Sequence, residues 1–249
     1  MLRRSKGTTL AALGGVLVLA LTGCGPTSTP AAAPTPTVDA ASALAAAVAK
    51  TASVDLTYVL DAGPDESDIN GAYDATSGVA VSSTMSDGQT TTFTADGDSL
   101  YLAGPSDLNG LTVRLHASRL APTNPLAMFA DPLPPATLLS GVASVTLHGD
   151  TEFTGSIDLG KITTTNDGAA ALRTYVTTPA GDRAAAVAFQ AAMNADGYLV
   201  SFDVTLPNVD NGKDAEYDIT FADFGKDVSN AVPAGESVIE APAEAYNQS

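Results

Sequence analysis

The chain has 249 residues, with 28 acidic against 11 basic side chains, a formal charge of −17, one cysteine and no tryptophan. So acidic a protein is repelled by nucleic-acid phosphates and by anionic headgroups, which excludes a nucleic-acid partner. A single cysteine excludes an internal disulfide framework.

The first element is a targeting segment. Arg3, Arg4 and Lys6 precede an apolar run from Thr8 to Leu21. That run is roughly a dozen residues, right for a secretory signal and short of the ~20 residues a membrane span needs. Leu21-Thr22-Gly23-Cys24 follows and resembles the bacterial lipobox. In that motif the thiol receives a diacylglyceryl group and the preceding signal, here residues 1–23, is removed. Cys24 is thus the expected lipidation site, and the expected location is the extracytoplasmic face of the cell membrane, lipid-anchored. Two acyl chains on one residue meet the condition for stable anchoring.

Residues 24–38 form a Pro/Thr/Ala-rich tether, with Pro26, Pro30, Pro34 and Pro36 and no apolar periodicity. Proline keeps such a segment extended at about 3.1 Å per residue, a reach of roughly 40 Å. Residues 39–249 then read as a single domain.

Asp39 is a helix cap for ASALAAAVAKTA, whose main apolar contacts are Leu44 and Val48. Alternating strands follow around Leu56, Tyr58 and Leu60, around Ile69 and Tyr73, and around Val79 and Val81. TTTFTA, SLYLAG and LTVRLHA continue the series, with turn signals at Asp87-Gly88, Asp96-Gly97 and Asn109-Gly110. SRLAPTNPLAMFADPLPPATLLSGV holds five prolines between Pro122 and Pro135 and a cluster of bulky residues, Leu126, Met128, Phe129, Leu138 and Leu139. Proline at helix starts predicts short, abruptly ended helices there.

Strands resume at SVTLHG. EFTGSIDLGKI is a second strand pair or a strand leading into a loop. Asn166 to Asp182 reads as long and irregular. AAAVAFQAAMNADGYLVSFDVTLP reads as a hairpin about Ala195-Asp196-Gly197, with a helix over 179–194 as the competing reading. AEYDITFADFG is the last strand, with Tyr217, Ile219 and Phe221 on one side, and residues 226–249 form a poorly packed tail. The fold class is α+β, a large antiparallel sheet with helices laid on one face.

Catalytic and metal patterns are weak. His116 and His148 sit beside strand ends, with no cysteine partners for a structural zinc. Ser106 or Ser118 could join a triad, yet no G-x-S-x-G or S-x-x-K occurs. Glu66, Asp68, Asn70 and Gly71 imitate the start of an EF-hand, but Ser77 stands where an acid is needed and the flanks read as strand. The expectation is no enzyme, no metal and no cofactor.

The order of pieces resembles the LppX/LprAFG lipoproteins of mycobacteria and related actinobacteria. The resemblance rests on the lipobox, the proline linker, the Ala-rich helix, DGDSLYLAGP, NPLAMFADPLPPATLLSGV, HGDTEFTGSIDLGK, MNADGYLVSFDVTL and DITFADFGKDV. It implies a half-barrel similar to LolA and LolB, a curved antiparallel sheet with helices on its concave face and an apolar cavity between. It also implies non-catalytic carriage of an acylated envelope lipid or lipoglycan, with a membrane transporter as a further partner. On strand phase, Val79, Val81, Phe93, Leu100, Leu102, Val113, Phe202 and Val204 would face Leu126, Phe129, Leu138 and Leu139 across that cavity. Two readings compete. One is a surface interaction protein with a solid core, since alternating strands need no ligand to explain them. The other is a hydrolase of envelope lipids.

Overall fold

In the computed structural model, residues 39–61, 67–105 and 108–248 are described. The lipidation site Cys24, the signal and the tether lie outside the described residues, as do Glu66 and Ser106.

Twelve strands form one open sheet. In chain order they are β1 (Leu56–Asp61), β2 (Ile69–Asp74), β3 (Val79–Ser86), β4 (Gln89–Ala95), β5 (Ser99–Ala103), β6 (Thr112–His116), β7 (Val142–His148), β8 (Glu152–Ile157), β9 (Val187–Met193), β10 (Leu199–Asp210), β11 (Lys213–Ala222) and β12 (Val238–Glu240). The spatial order is β12-β6-β5-β4-β3-β2-β1-β11-β10-β9-β8-β7. Every neighbouring pair is antiparallel except β12 with β6. Asp87 and Gly88, like Asn211 and Gly212, both take positive φ, as a two-residue hairpin turn requires. The β9–β10 hairpin turns at Asn194–Tyr198, where Asn194 N–H donates to the Tyr198 carbonyl at 2.9 Å.

Among the described residues there are four α-helices: α1 (Ala40–Ala52), α2 (Ala127–Ala130), α3 (Pro134–Leu139) and α4 (Asp167–Ala180). Asp39 caps α1, accepting from Ser42 N–H at 3.0 Å and Ser42 Oγ at 2.8 Å. α1 buries Leu44 and Ala47, and its Thr51 hydroxyl accepts the Leu199 N–H of β10 at 2.8 Å. α3 begins with Pro134 and Pro135, where a missing N–H costs nothing.

α4 corrects the irregular reading of residues 166–182, and of the competing helix over 179–194 only the end of α4 and a 3-10 turn at Gly181–Ala185 are helical, with β9 taking Val187–Met193. The TYVTT run of α4 is β-branched and aromatic, a poor helix signal. Asn166 caps it by accepting Ala169 N–H at 2.7 Å, and burial of Leu172, Tyr175 and Val176 holds it. Helix stability of this kind comes from tertiary packing and not from propensity.

The helices share one face. α1 contacts β7 and β10, α2 contacts β4 and β5, and α4 contacts β10 and α2. The buried apolar residues form two clusters. One is centred on Leu56, Phe153, Phe202 and Leu206, the other on Leu100, Leu115 and Ala130. Leu120, Phe129 and Ala171 pack against both, so the two limbs of the sheet share a single helical layer.

Residues 226–248 are mostly exposed, with Ala241 and Tyr246 buried, and are tied to the sheet at a few points. Asn230 Nδ2 donates to the Ala72 and Val79 carbonyls, both at 2.9 Å. β12 adds to β6, Glu240 meets His116 at 3.1 Å, and Tyr246 is buried against Arg119. Backbone and single side-chain hydrogen bonds do here what bulk would otherwise do.

On the helix-facing side the register sets one tyrosine against a glycine. Leu56, Tyr58 and Leu60 of β1 stand opposite Tyr73, Gly71 and Ile69 of β2. A Cβ built on Gly71 would fall 2.2 Å from Tyr58 Cζ, so the tyrosine ring lies flat over the glycine. Gly71→Ala must push that ring aside, and overpacking of this kind costs about 2 kcal/mol. Chemical denaturation should show the lowered midpoint. An unchanged midpoint would mean that the ring is free to swing.

On the opposite face Asp203 of β10 stands in register with Asp218 of β11, and Asp218 with Asp61 of β1. Burial, and then the Asp218 charge, raises the Asp203 carboxyl from 3.8 to about 6. The folded protein thus holds this proton more tightly than the unfolded chain. Stability from this group is full below pH 3.8 and is lost as pH rises through about 6. Asp203→Asn should therefore raise the thermal midpoint at neutral pH, and the gain should fade towards pH 3.8. A gain that persists unchanged in acid would contradict this.

Candidate functional site

The sheet and the helical layer leave a cleft of about 860 Å³ at the end of the strands where β10 turns into β11. This volume falls within the ~300–1,000 Å³ of typical ligand sites. Leu60 of β1, Ile69 of β2, Met128 and Phe129 of α2, Tyr175 and Pro179 of α4, and Val209 and Tyr217 of the hairpin line it. The rim is polar, with Asn208, Asp210, Asp214 and Glu216.

A bulge shapes this rim. Between Leu206↔Ala215 and Asp210↔Lys213, residues 207–209 of β10 stand against Asp214 alone. Asn208 takes a φ of 60° there. Its N–H donates to Asp214 Oδ1 at 3.2 Å and its Nδ2 to the Pro179 carbonyl at 2.9 Å. The Tyr175 hydroxyl donates to the Val209 carbonyl at 3.2 Å, so the end of α4 is tied to the hairpin. Arg183 forks onto Asp214 at 2.9 and 2.5 Å, and this pairing holds the Asp214 carboxyl below the usual range. Bulges next to a site re-aim its side chains in this way.

Leu60, Ile69, Met128 and Phe129 also line a second, smaller cavity of about 40 Å³, so the cleft and this bay share a wall. The bay lies between Tyr58, Ala80, Ser82, Phe93, Ala95, Ile219 and Phe221 of the sheet and the segment from Asp131 to Pro135. The Phe93 and Phe129 rings stack at 4.2 Å between centroids in the wall of this bay. Tyr58 hydrogen-bonds Ser82, and burial pushes its hydroxyl up to about 12. Asp131 is the only ionisable acid in this wall, and burial raises its carboxyl above the usual value.

Of the positions expected to line the cavity, Phe93 and Phe129 do so. Leu100, Leu102 and Val113 share the helix-facing side of the sheet but pack in the smaller cluster, together with Leu126. Leu138, Leu139, Phe202 and Val204 are buried in the larger one. Val79 and Val81 are a correction, for they point to the other face. Tyr73 of β2 pairs with Ala80 and Gly71 with Ser82, so the small residues of β3 face the helices. The two tyrosines leave room there only for small partners.

Sequence reasoning missed Tyr58, Ser82, Met128 and Asp131 as wall residues. Asp131 carried a signal, as a lone acid in the apolar stretch MFADPLPP. Ser82 carried none, since its place depends on the register with β2.

The histidines are apart from this site. His148 Nε2 lies 2.8 Å from Thr154 Oγ1, and His116 meets Glu240. Asp68, Asn70 and Gly71 belong to the start of β2 and the residues before it, and no group of three or more metal-type ligands occurs among the described residues. No helix among them is long and apolar enough to cross a membrane. No family model matches the chain, and no match is found among curated proteins.

The face assignment has a direct consequence. Ser82→Trp should fill the bay and weaken binding of an apolar fluorescent dye by about tenfold or more, whereas Val81→Trp should leave it unchanged. Equal loss in both variants would contradict the register.

Proposed function

We propose that the protein is a membrane-anchored, non-catalytic lipoprotein that holds the acyl chains of an envelope lipid or lipoglycan and carries them across the cell envelope. The observation that carries this reading is the cleft of about 860 Å³, whose wall shares the apolar residues Leu60, Ile69, Met128 and Phe129 with the bay beneath α2. Exposing an acyl chain to water costs about 0.8 kcal/mol per CH₂, and a carrier removes that cost with an apolar wall. Met128 and the stacked phenylalanines suit the task, because a wall that repacks can close when empty and open when loaded. The resemblance to the LppX/LprAFG lipoproteins, the LolA-like half-barrel it implies and the lipobox at Cys24 support the same reading. They also support the extracytoplasmic anchor and a membrane transporter as the source or recipient of the lipid.

A surface interaction protein with a solid core is the second reading, favoured by the small volume of the inner bay. Native mass spectrometry of the domain from Asp39 onward, expressed in an actinobacterial host, separates the two. The anchor is then absent, so any bound lipid sits in the domain. Discrete added masses that vanish on organic extraction are the expected result. A single clean protein mass, with an apolar dye also failing to bind, would overturn the carrier reading in favour of the solid core.

A further inference from the structure

The inner bay has a polar point in its wall. Asp131 sits between α2 and α3 with 6% of its surface exposed. Its Oδ1 accepts the Leu133 N–H at 3.1 Å, and Thr137 lies beside the carboxyl. These contacts shape the turn into α3. Its Oδ2 is buried and has no hydrogen-bond partner. A buried polar atom without a partner is rare and calls for an account of what satisfies it.

Neighbouring groups narrow the answer. Tyr58 and Ser82 line the same bay and bond to each other. No Lys, Arg or His lines it, so an anionic ligand group would lie unpaired beside a carboxyl. The bay holds about 40 Å³, room for a hydroxyl or a water and not for a hydrated headgroup. Polar headgroups have their own place at the rim, beside Asn208, Asp210 and Glu216.

Resting on the carrier reading above, we propose that the bay selects lipids whose acyl chain carries a hydroxyl group, which hydrogen-bonds Asp131 Oδ2. A hydroxyl both donates and accepts. It therefore satisfies this oxygen whether the carboxyl holds its proton or not, and burial favours the protonated form. The apolar remainder of the chain runs along Leu60, Ile69 and Met128, the side chains that the bay shares with the cleft. Loading moves the Phe129 ring, which stacks on Phe93 in the wall of the bay and also lines the cleft.

The test offers two esters together, in equal amounts, to the full chain in mild detergent. One is a long-chain ω-hydroxy methyl ester and the other is its unsubstituted counterpart. Native mass spectrometry reads the ratio of the two adducts in the parent and in Asp131→Leu, and the comparison cancels unequal partition into detergent. The parent should favour the hydroxy ester about tenfold more than the variant does, the size of one hydrogen bond to a buried acid. An equal ratio in both proteins would overturn the selection and leave the carrier reading standing. No adduct of either ester in the parent would overturn the carrier reading itself. A second comparison needs only the parent and covers the case of a variant that does not fold. Moving the hydroxyl to the carbon beside the ester should abolish the preference, because that hydroxyl stays at the rim. A preference that ignores its position would overturn the proposal.

Discussion

The structure depends on one long crossover. β6 and β7 are separated by nine other strands, so the chain between them must pass across the whole face of the sheet. On a flat sheet those ten steps would span about 48 Å at ~4.8 Å per strand. The crossing segment is the proline-rich one, and its two short helices are the roof of the cavity. Pro132 follows the end of α2, and Pro134 and Pro135 open α3, so both helices stay short and the segment crosses the sheet without strand pairing. Its start is locked by the C-terminal segment, where Asn124 Nδ2 donates to the Ala245 carbonyl at 3.0 Å and Ala121 N–H to the Tyr246 carbonyl at 2.9 Å. α4 then crosses the same face and joins both core clusters through Ala171.

The space beneath this roof is set by residue size. On the helix-facing side of β2 and β3 the chain offers Gly71, Ala80 and Ser82, while Tyr58 and Tyr73 lean over them. Elsewhere the same side carries Phe153, Phe202 and Leu206, which are fully buried. The helix-facing side is therefore bulky along much of β8 to β10 and carries small residues at Gly71, Ala80 and Ser82 of β2 and β3. Gly168 makes the matching contact among the helices. A Cβ there would lie 2.2 Å from the Ala130 carbonyl oxygen, so α4 can approach α2 only through glycine.

Much of the architecture was legible locally. The cap at Asp39, the Asp-Gly and Asn-Gly turns, the β9–β10 hairpin and the shared face of Tyr217, Ile219 and Phe221 all follow from hydrogen bonds or periodicity within a few residues. The site was legible in part. Phe93 and Phe129 were readable as large apolar residues in the right phase. Val79 and Val81 were misassigned because β3 reads Val-Ala-Val-Ser, and the apolar rule puts the valines inside. Steric fit to the tyrosines next door reverses it, and a strand's faces exchange as a set.

By itself the sequence determined the strands, the hairpins, the short proline-bounded helices and the acidic, cysteine-poor character of the domain. These are properties of neighbouring residues, and neighbouring residues carry enough free energy to specify them. Tertiary structure alone decided the inward face of β3, the helix at Asp167–Ala180, the seating of residues 226–248 and the isolation of Asp131 Oδ2. Each of these rests on a partner far away in the chain. Whether a side chain finds one, or is left facing a hollow, is fixed only when the crossover lies down on the sheet.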